Sequence, residues 1–226
     1  KGETMYTLVR QKRKTMTISI QDDLTVLVKA PIGITKQSID VFVSKHQDWI
    51  EKTIQAKTVQ ANKRDWLSNG EILYLGSYRK VYIEEKLGVS PNVCVAKEQF
   101  IITTPNKNDT FLIKKQVETY TKEQALELVT QFVQMYSHLL GCQYKSITIR
   151  KQKTRWGSCS AKGALSFNVR LMGAPLDVIS YVALHEVAHL IHFDHSVAFW
   201  HTIEAVIPDY KIRQDYLKKH ANILDI

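Results

Sequence analysis

The chain opens with three short runs in which apolar and β-branched residues are interleaved with polar ones: Tyr6-Thr7-Leu8-Val9-Arg10, Met16-Thr17-Ile18-Ser19-Ile20 and Thr25-Val26-Leu27-Val28. Such runs predict short strands. Asp22-Asp23 reads as the turn between the second and third, and Pro31 and Gly33 stop the third. From 35 to about 58 the period changes. Ile39, Phe42, Val43, Trp49, Ile50 and Ile54 recur at spacings near three and four, which predicts one helix. Ser68-Asn69-Gly70 is a predicted turn. Ile72-Leu73-Tyr74-Leu75 and Lys80-Val81-Tyr82-Ile83 then predict two strands joined at Gly76-Ser77, and 92–96 with 100–103 predicts another hairpin.

Pro105-Asn106-Lys107-Asn108-Asp109 is polar, holds turn residues and separates two kinds of periodicity. It is the expected boundary between a mostly β region with one helix, 1–107, and a second domain, 108–226. The second domain starts with a long amphipathic helix, about 111 to 140, whose apolar stripe is Val117, Leu126, Val129, Phe132, Val133 and Tyr136. Gly141 stops it. Residues 146–151 and 164–171 predict strands, with Ala161-Lys162-Gly163 as the turn before the second. Along 164–171, Leu165, Phe167, Val169 and Leu171 alternate with Ser166, Asn168 and Arg170. Pro175 opens a helix running to about 191. Two more helices, 196–206 and 210–223, are separated at Pro208.

Composition narrows the class. The 226 residues are 44% apolar and 23% charged, ordinary for a globular protein and too apolar for a disordered one. No apolar run approaches the ~20 residues of a membrane span, so no membrane partner is expected. Lys1-Gly2-Glu3-Thr4 leads into no apolar core of signal-peptide type. Cys94, Cys142 and Cys159 form no CxxC pair, which excludes a disulfide scaffold and a structural zinc site and fits a reducing cytoplasm. The net charge of +9 admits an anionic partner such as nucleic acid or nucleotide, although solubility alone also accounts for it.

The chemistry is concentrated in His185-Glu186-Val187-Ala188-His189, an HExxH sequence inside a predicted helix. Residues i and i+4 share a helix face, so two imidazoles there can bind one zinc while the intervening glutamate reaches a water on the metal. The flanks Ile179, Val182, Ala183, Leu184, Leu190 and Ile191 predict a buried helix, in which a His-Glu-His cluster without a metal is hard to satisfy. Catalytic zinc takes a third protein ligand and keeps one position open. His192, His195 and Glu204 are the candidates. His192 would put three histidines nearly in a line. Glu204 comes early for the glutamate type of zinc peptidase. His195 can ligate only if the helix ends first, and Phe193-Asp194-His195-Ser196 permits that end. His195 is therefore favoured.

Several of these residues together resemble the YgjP-like metallopeptidase family. They are Arg155-Trp156-Gly157-Ser158-Cys159-Ser160, then Gly163, Leu165, Asn168 and Arg170-Leu171, then His185-Glu186-x-x-His189-x5-His195-Ser196 with Phe199-Trp200. The zinc-site spacing is also similar to that of the WLM proteases and, more distantly, the SprT-like proteases. Softer matches at Lys12-Arg13-Lys14, Val28-Lys29-Ala30-Pro31, Trp49-Ile50 and Leu75-Gly76-x-x-Tyr78 extend the resemblance over nearly the whole chain. The resemblance implies an α+β fold whose zincin-like half places His185, His189 and His195 on one zinc, with Glu186 as catalytic acid/base. Asp194 stands where the family pattern leads one to expect Asn.

The reading is a zinc-dependent hydrolase, a metallopeptidase acting on a peptide or protein substrate through a zinc-bound water activated by Glu186. Arg155, Asn168 and Arg170 are candidates to bind substrate or stabilise an oxyanion, on the expectation that the strand 164–171 forms one wall of the cleft. Cys159 reads as a small packed residue rather than a nucleophile. Two alternatives stand beside this one. The family resemblance admits a nucleotide pyrophosphatase acting on UTP, to which Lys151, Lys153, Arg155 and Arg170 would be suited. A nucleic-acid-associated protease, with a basic N-terminal half bearing Lys12-Arg13-Lys14, is the other, although no nucleic-acid-binding motif supports it.

Overall fold

The computed structural model describes residues 5–21, 23–221 and 224, and the side chains of 59–64 lie outside that description. Residues 1–4, Asp22 of the predicted turn and the last two residues of the predicted final helix, 222–223, also fall outside it.

The chain divides into two compact units, 1–65 and 66–226. The first holds β1 (Thr7–Gln11), β2 (Thr17–Ile20) and β3 (Val26–Pro31), in the order β1-β3-β2, with β1 parallel and β2 antiparallel to β3. Two helices follow, α1 (Lys36–Lys45) and α2 (Gln47–Arg64), where the periodicity predicts one. The break is at His46, whose backbone (φ −106°, ψ 12°) leaves the helical region and whose Nδ1 lies 2.8 Å from the Phe42 carbonyl. Thr35 caps α1, its side chain accepting from the Ser38 N–H. Val28, Ala30, Ile39, Val43 and Ile50 form the core of this unit.

The second unit starts with α3 (Trp66–Asn69), a helical turn where a simple turn is predicted. Next come β4 (Glu71–Tyr74), β5 (Ser77–Glu85), β6 (Asn92–Ala96) and β7 (Gln99–Thr104), in the order β4-β5-β7-β6, with β5 and β7 parallel. The long helix α4 (Thr110–Leu139) is capped by Asp109 and buries Ile113, Val117, Ala125, Val129, Val133 and Tyr136. Leu126, placed in the stripe by its spacing, is 44% exposed. The expected boundary at 107/108 falls inside this unit because the four-stranded sheet has no core of its own. Phe100 and Ile102 of β7 belong to one buried cluster with Ile113 and Val117 of α4 and with residues 178–188 of the next helix.

The second unit's other sheet is built from β8 (Ser146–Arg150), β9 (Gly157–Cys159) and β10 (Ala164–Asn168), in the order β8-β10-β9, with β8 parallel and β9 antiparallel to β10. The strand predicted over 164–171 ends at Asn168, and 169–173 form a 3-10 turn. Val169, Leu171 and Met172 are all buried there, which strict alternation on a strand would not allow. The remaining helices are α5 (Leu176–Ala188), α6 (Val197–Val206) and α7 (Tyr210–His220). The four-stranded sheet meets the entry to α5 at Leu75 and Gly76, whose N–H groups donate to Met172 O at 2.7 Å and Gly173 O at 3.1 Å. Gly76 has φ +81°, and a Cβ there would stand 2.8 Å from Pro175 Cγ. The class is α+β. Among the described residues no helix is long and apolar enough to cross a membrane.

Candidate metal centre

Helix α5 is almost wholly buried. Val178, Ile179, Val182, Ala183, Leu184, Val187 and Ala188 fill the core, so the two polar residues of its last turn, His185 and Glu186, are held without freedom to swing into solvent. The helix stops at Ala188 with His189 as its C-cap, and the N–H groups of Leu190, Ile191 and His192 fold back onto Val187 and Ala188 carbonyls. Asp194 then accepts from Ser196 N–H at 3.2 Å, and Ser196 opens α6. The chain thus reverses between His189 and His195, as the third-ligand reading requires.

The reversal brings one ring nitrogen from each of His185, His189 and His195 within 4.8 Å of the others. His185 Nε2 and His195 Nε2 are 3.2 Å apart. Tetrahedral zinc with bonds of ~2.0–2.1 Å to nitrogen separates its ligands by about 3.3 Å, the separation of the His185–His195 pair, and the whole cluster, within 4.8 Å, approaches it. Orientation agrees. His189 Nδ1 donates to the His192 carbonyl at 2.9 Å, which leaves the Nε2 lone pair free to ligate. Burial, with His189 and His195 beside it, pushes His185 down to about 3, so it is a neutral donor at ordinary pH. Burial likewise lowers His189, against the opposing effect of its bond to His192. Buried among the described residues, His185 Nδ1 has no hydrogen-bond partner. His192 is not in the cluster: it supplies the carbonyl, and its Nε2 lies 3.0 Å from Thr202 Oγ1. Glu204 is exposed on α6 and outside the cluster too.

Aromatic rings hold the triad from behind. Phe199, fully buried, has its ring centroid 4.9 Å from His185, 4.6 Å from His189 and 4.9 Å from His195. Trp200 stacks on His195, Tyr210 on Trp200 and Tyr181 on Tyr210, with interplanar angles of 24°, 16° and 18°. Sequence reasoning assigned no role to these rings. Their signal was the apolar Phe-Trp pair four and five residues past His195, one turn into the following helix.

Glu186 is 5% exposed. Burial pushes its carboxyl up to about 8, partly opposed by the charge of Arg155. Its neighbour in β9 is Gly157, on which a Cβ would stand 2.5 Å from Glu186 Oε1. Cys159 is pushed up to about 11, by burial first and then by Glu186 and Cys142, which leaves it a protonated, unreactive thiol.

Two of the three expected substrate contacts have other duties. Asn168 Nδ2 donates to the carbonyls of Gln152 and Arg155, both at 2.7 Å, and its Oδ1 accepts from Arg170 N–H at 3.2 Å. Asn168 is 1% exposed, so this side chain binds its own chain rather than a substrate. Arg170 lies past the end of β10. Its guanidinium donates to the carbonyls of Leu224 (2.6 Å), Ala221 and Lys153, and lies over the Trp156 ring at 5.2 Å. The strand ends too early to aim it along the predicted polar face. Arg155 is exposed, and its charge reaches Glu186.

Two histidines one helical turn apart, with Glu186 between them in sequence, are joined after a chain reversal by a third histidine, and the three together could hold a metal ion. The chain belongs to the YgjP-like metallopeptidase family, whose metallopeptidase-domain model matches residues 14–220. No curated protein matches it. Among solved structures it is similar to the metallopeptidase zymogen of Pyrococcus abyssi abylysin, with 26% identity over 40% of this chain and 93% of that one and a TM-score of 0.38.

Proposed function

We propose that the protein is a zinc metallopeptidase in which His185, His189 and His195 hold one zinc and Glu186 moves the proton. The observation that supports this most is the convergence of three imidazoles, two of them from the helix that also carries the buried carboxyl of Glu186, in a chain of this family. When bound, zinc lowers the pKa of a water toward 7 and polarises a carbonyl oxygen. The residues do the rest. His189 is fixed in one tautomer by the His192 carbonyl. Glu186 takes the proton of the attacking water on a carboxylate oxygen and returns it to the leaving nitrogen. Arg155 favours the ionised form of Glu186, the form that can accept.

The test uses metal-loaded protein on dye-labelled denatured casein, with nucleoside triphosphates as a second arm. Cleavage of casein alone supports the peptidase. Phosphate or pyrophosphate release without proteolysis overturns it in favour of nucleotide hydrolysis. Glu186→Gln should keep the metal and lose ~10²–10⁴-fold in turnover. His195→Ala should lose zinc, whereas Glu204→Ala should keep it. The reverse result would overturn the third ligand.

A further inference from the structure

We propose that Gly157 is a positioning residue for Glu186: its bare Cα leaves the berth in which the buried carboxyl lies, on the helix that carries His185.

A Cβ at Gly157 would stand 2.5 Å from Glu186 Oε1, 2.6 Å from Cγ and 2.7 Å from Cδ. All three are under 3.0 Å, a separation real Cβ atoms essentially never show, and they lie along the glutamate's length rather than at one loose end. Backbone conformation does not call for the glycine. Gly157 has no positive φ and pairs within β9 opposite Phe167. Gly163, at the other end of the same hairpin, is the contrast: it has φ +75°, and its nearest would-be Cβ contact is an ordinary 3.6 Å. One glycine serves the turn, and the other serves space. A glycine in a strand often marks the close approach of another group, which here is Glu186.

Neither partner can retreat. Strand β9 is pinned from its own sheet, because Asn168 N–H donates to Trp156 O at 2.8 Å and Asn168 Nδ2 holds the Arg155 carbonyl. Glu186 sits on a helix packed on its other faces by core residues. A methyl group at 157 therefore displaces the carboxyl itself. Misplacing a proton-moving group by about 1 Å costs on the order of 100-fold in rate.

The catalytic consequence rests on the peptidase reading, but the contact does not. The experiment compares wild type, Gly157→Ala, Glu186→Asp and the double variant. It measures the unfolding midpoint of metal-free protein, bound zinc, and kcat and KM on dye-labelled denatured casein. Gly157→Ala is expected to lower the apo midpoint and to lower kcat about 10–100-fold, with zinc content and KM unchanged. Glu186→Asp withdraws the carboxylate by one methylene. In the alanine background it should recover most of the midpoint and cost no further turnover, although it lowers turnover when 157 is glycine. If Gly157→Ala alone fails to fold, recovery of folding in the double variant supports the contact, and failure to recover it overturns it. Wild-type midpoint and kcat in Gly157→Ala, or strictly additive effects, also overturn the proposal. If wild type cleaves no casein, the peptidase reading falls, and the apo midpoints alone decide the contact.

Discussion

His195 and Trp200 lie nearly face to face, with ring centroids 5.7 Å apart and planes 24° from parallel. Trp200 also lies 6.0 Å from His185, so a fluorophore stands against two histidines of the triad. Cobalt(II) bound at the triad should quench indole emission at this range. We expect a saturable loss of fluorescence at one equivalent of cobalt, removed by Trp200→Phe and by His195→Ala. A quench that survives Trp200→Phe would place the reporter at another of the four tryptophans and the metal elsewhere.

Phe199 touches all three imidazoles at 4.6–4.9 Å and has no exposed surface. It is a common floor, so trimming it should loosen the three ligands together. Phe199→Leu keeps an apolar filler and should cost about 1–3 kcal/mol of stability. Its effect on zinc should be disproportionate, a fall of about 10–100-fold in affinity, as for other groups that orient metal ligands. Competition with a zinc chelator measures the affinity, and denaturant unfolding of the apo-protein measures the stability. An unchanged affinity would make Phe199 ordinary core.

The juxtaposition of the three histidines was more legible in the sequence than the frame around it. His185 and His189 share a face through the i, i+4 spacing of HExxH in a predicted helix, and the turn residues Asp194-His195-Ser196 permit His195 to join them, a turn the structure realises through the Asp194 bond to Ser196. Both are local signals. The fold boundary was not local. Pro105 to Asp109 is a real turn before α4, but whether Phe100 and Ile102 share a core with α4 is decided by contacts distant in sequence. The same limit explains Asn168 and Arg170. Alternation placed both on a polar face. The strand ended at Asn168 because a capping side chain competed with the ladder, and nothing in the alternation announces that.

Gly76 should tolerate no side chain. Its φ of +81° disfavours one, and the added Cβ would meet Pro175, the residue that starts α5, at 2.8 Å. Gly76→Ala should therefore destabilise the protein by roughly 1–3 kcal/mol. Equilibrium unfolding in urea checks it. A loss under a few tenths of a kcal/mol would show that Pro175 and its neighbours shift freely.

Asn168 separates a structural clamp from a substrate contact. Its amide donates to two carbonyls, of Gln152 and Arg155, and its oxygen accepts from Arg170 N–H. Those bonds hold the loop that leads into β9, where Gly157 meets Glu186. Asn168→Ala leaves the carbonyls without their donors and should cost about 1–3 kcal/mol. Asn168→Asp is the sharper probe. It is nearly isosteric, but when ionised it sets a carboxylate oxygen against two carbonyl oxygens with no proton to share. The clamp therefore predicts that Asp is at least as damaging to stability as Ala. A substrate contact predicts the opposite pattern, normal unfolding midpoints with a raised KM in both variants. Thermal unfolding of the two apo-proteins beside their KM values on labelled casein decides between them. Normal midpoints would return Asn168 to the wall of the cleft.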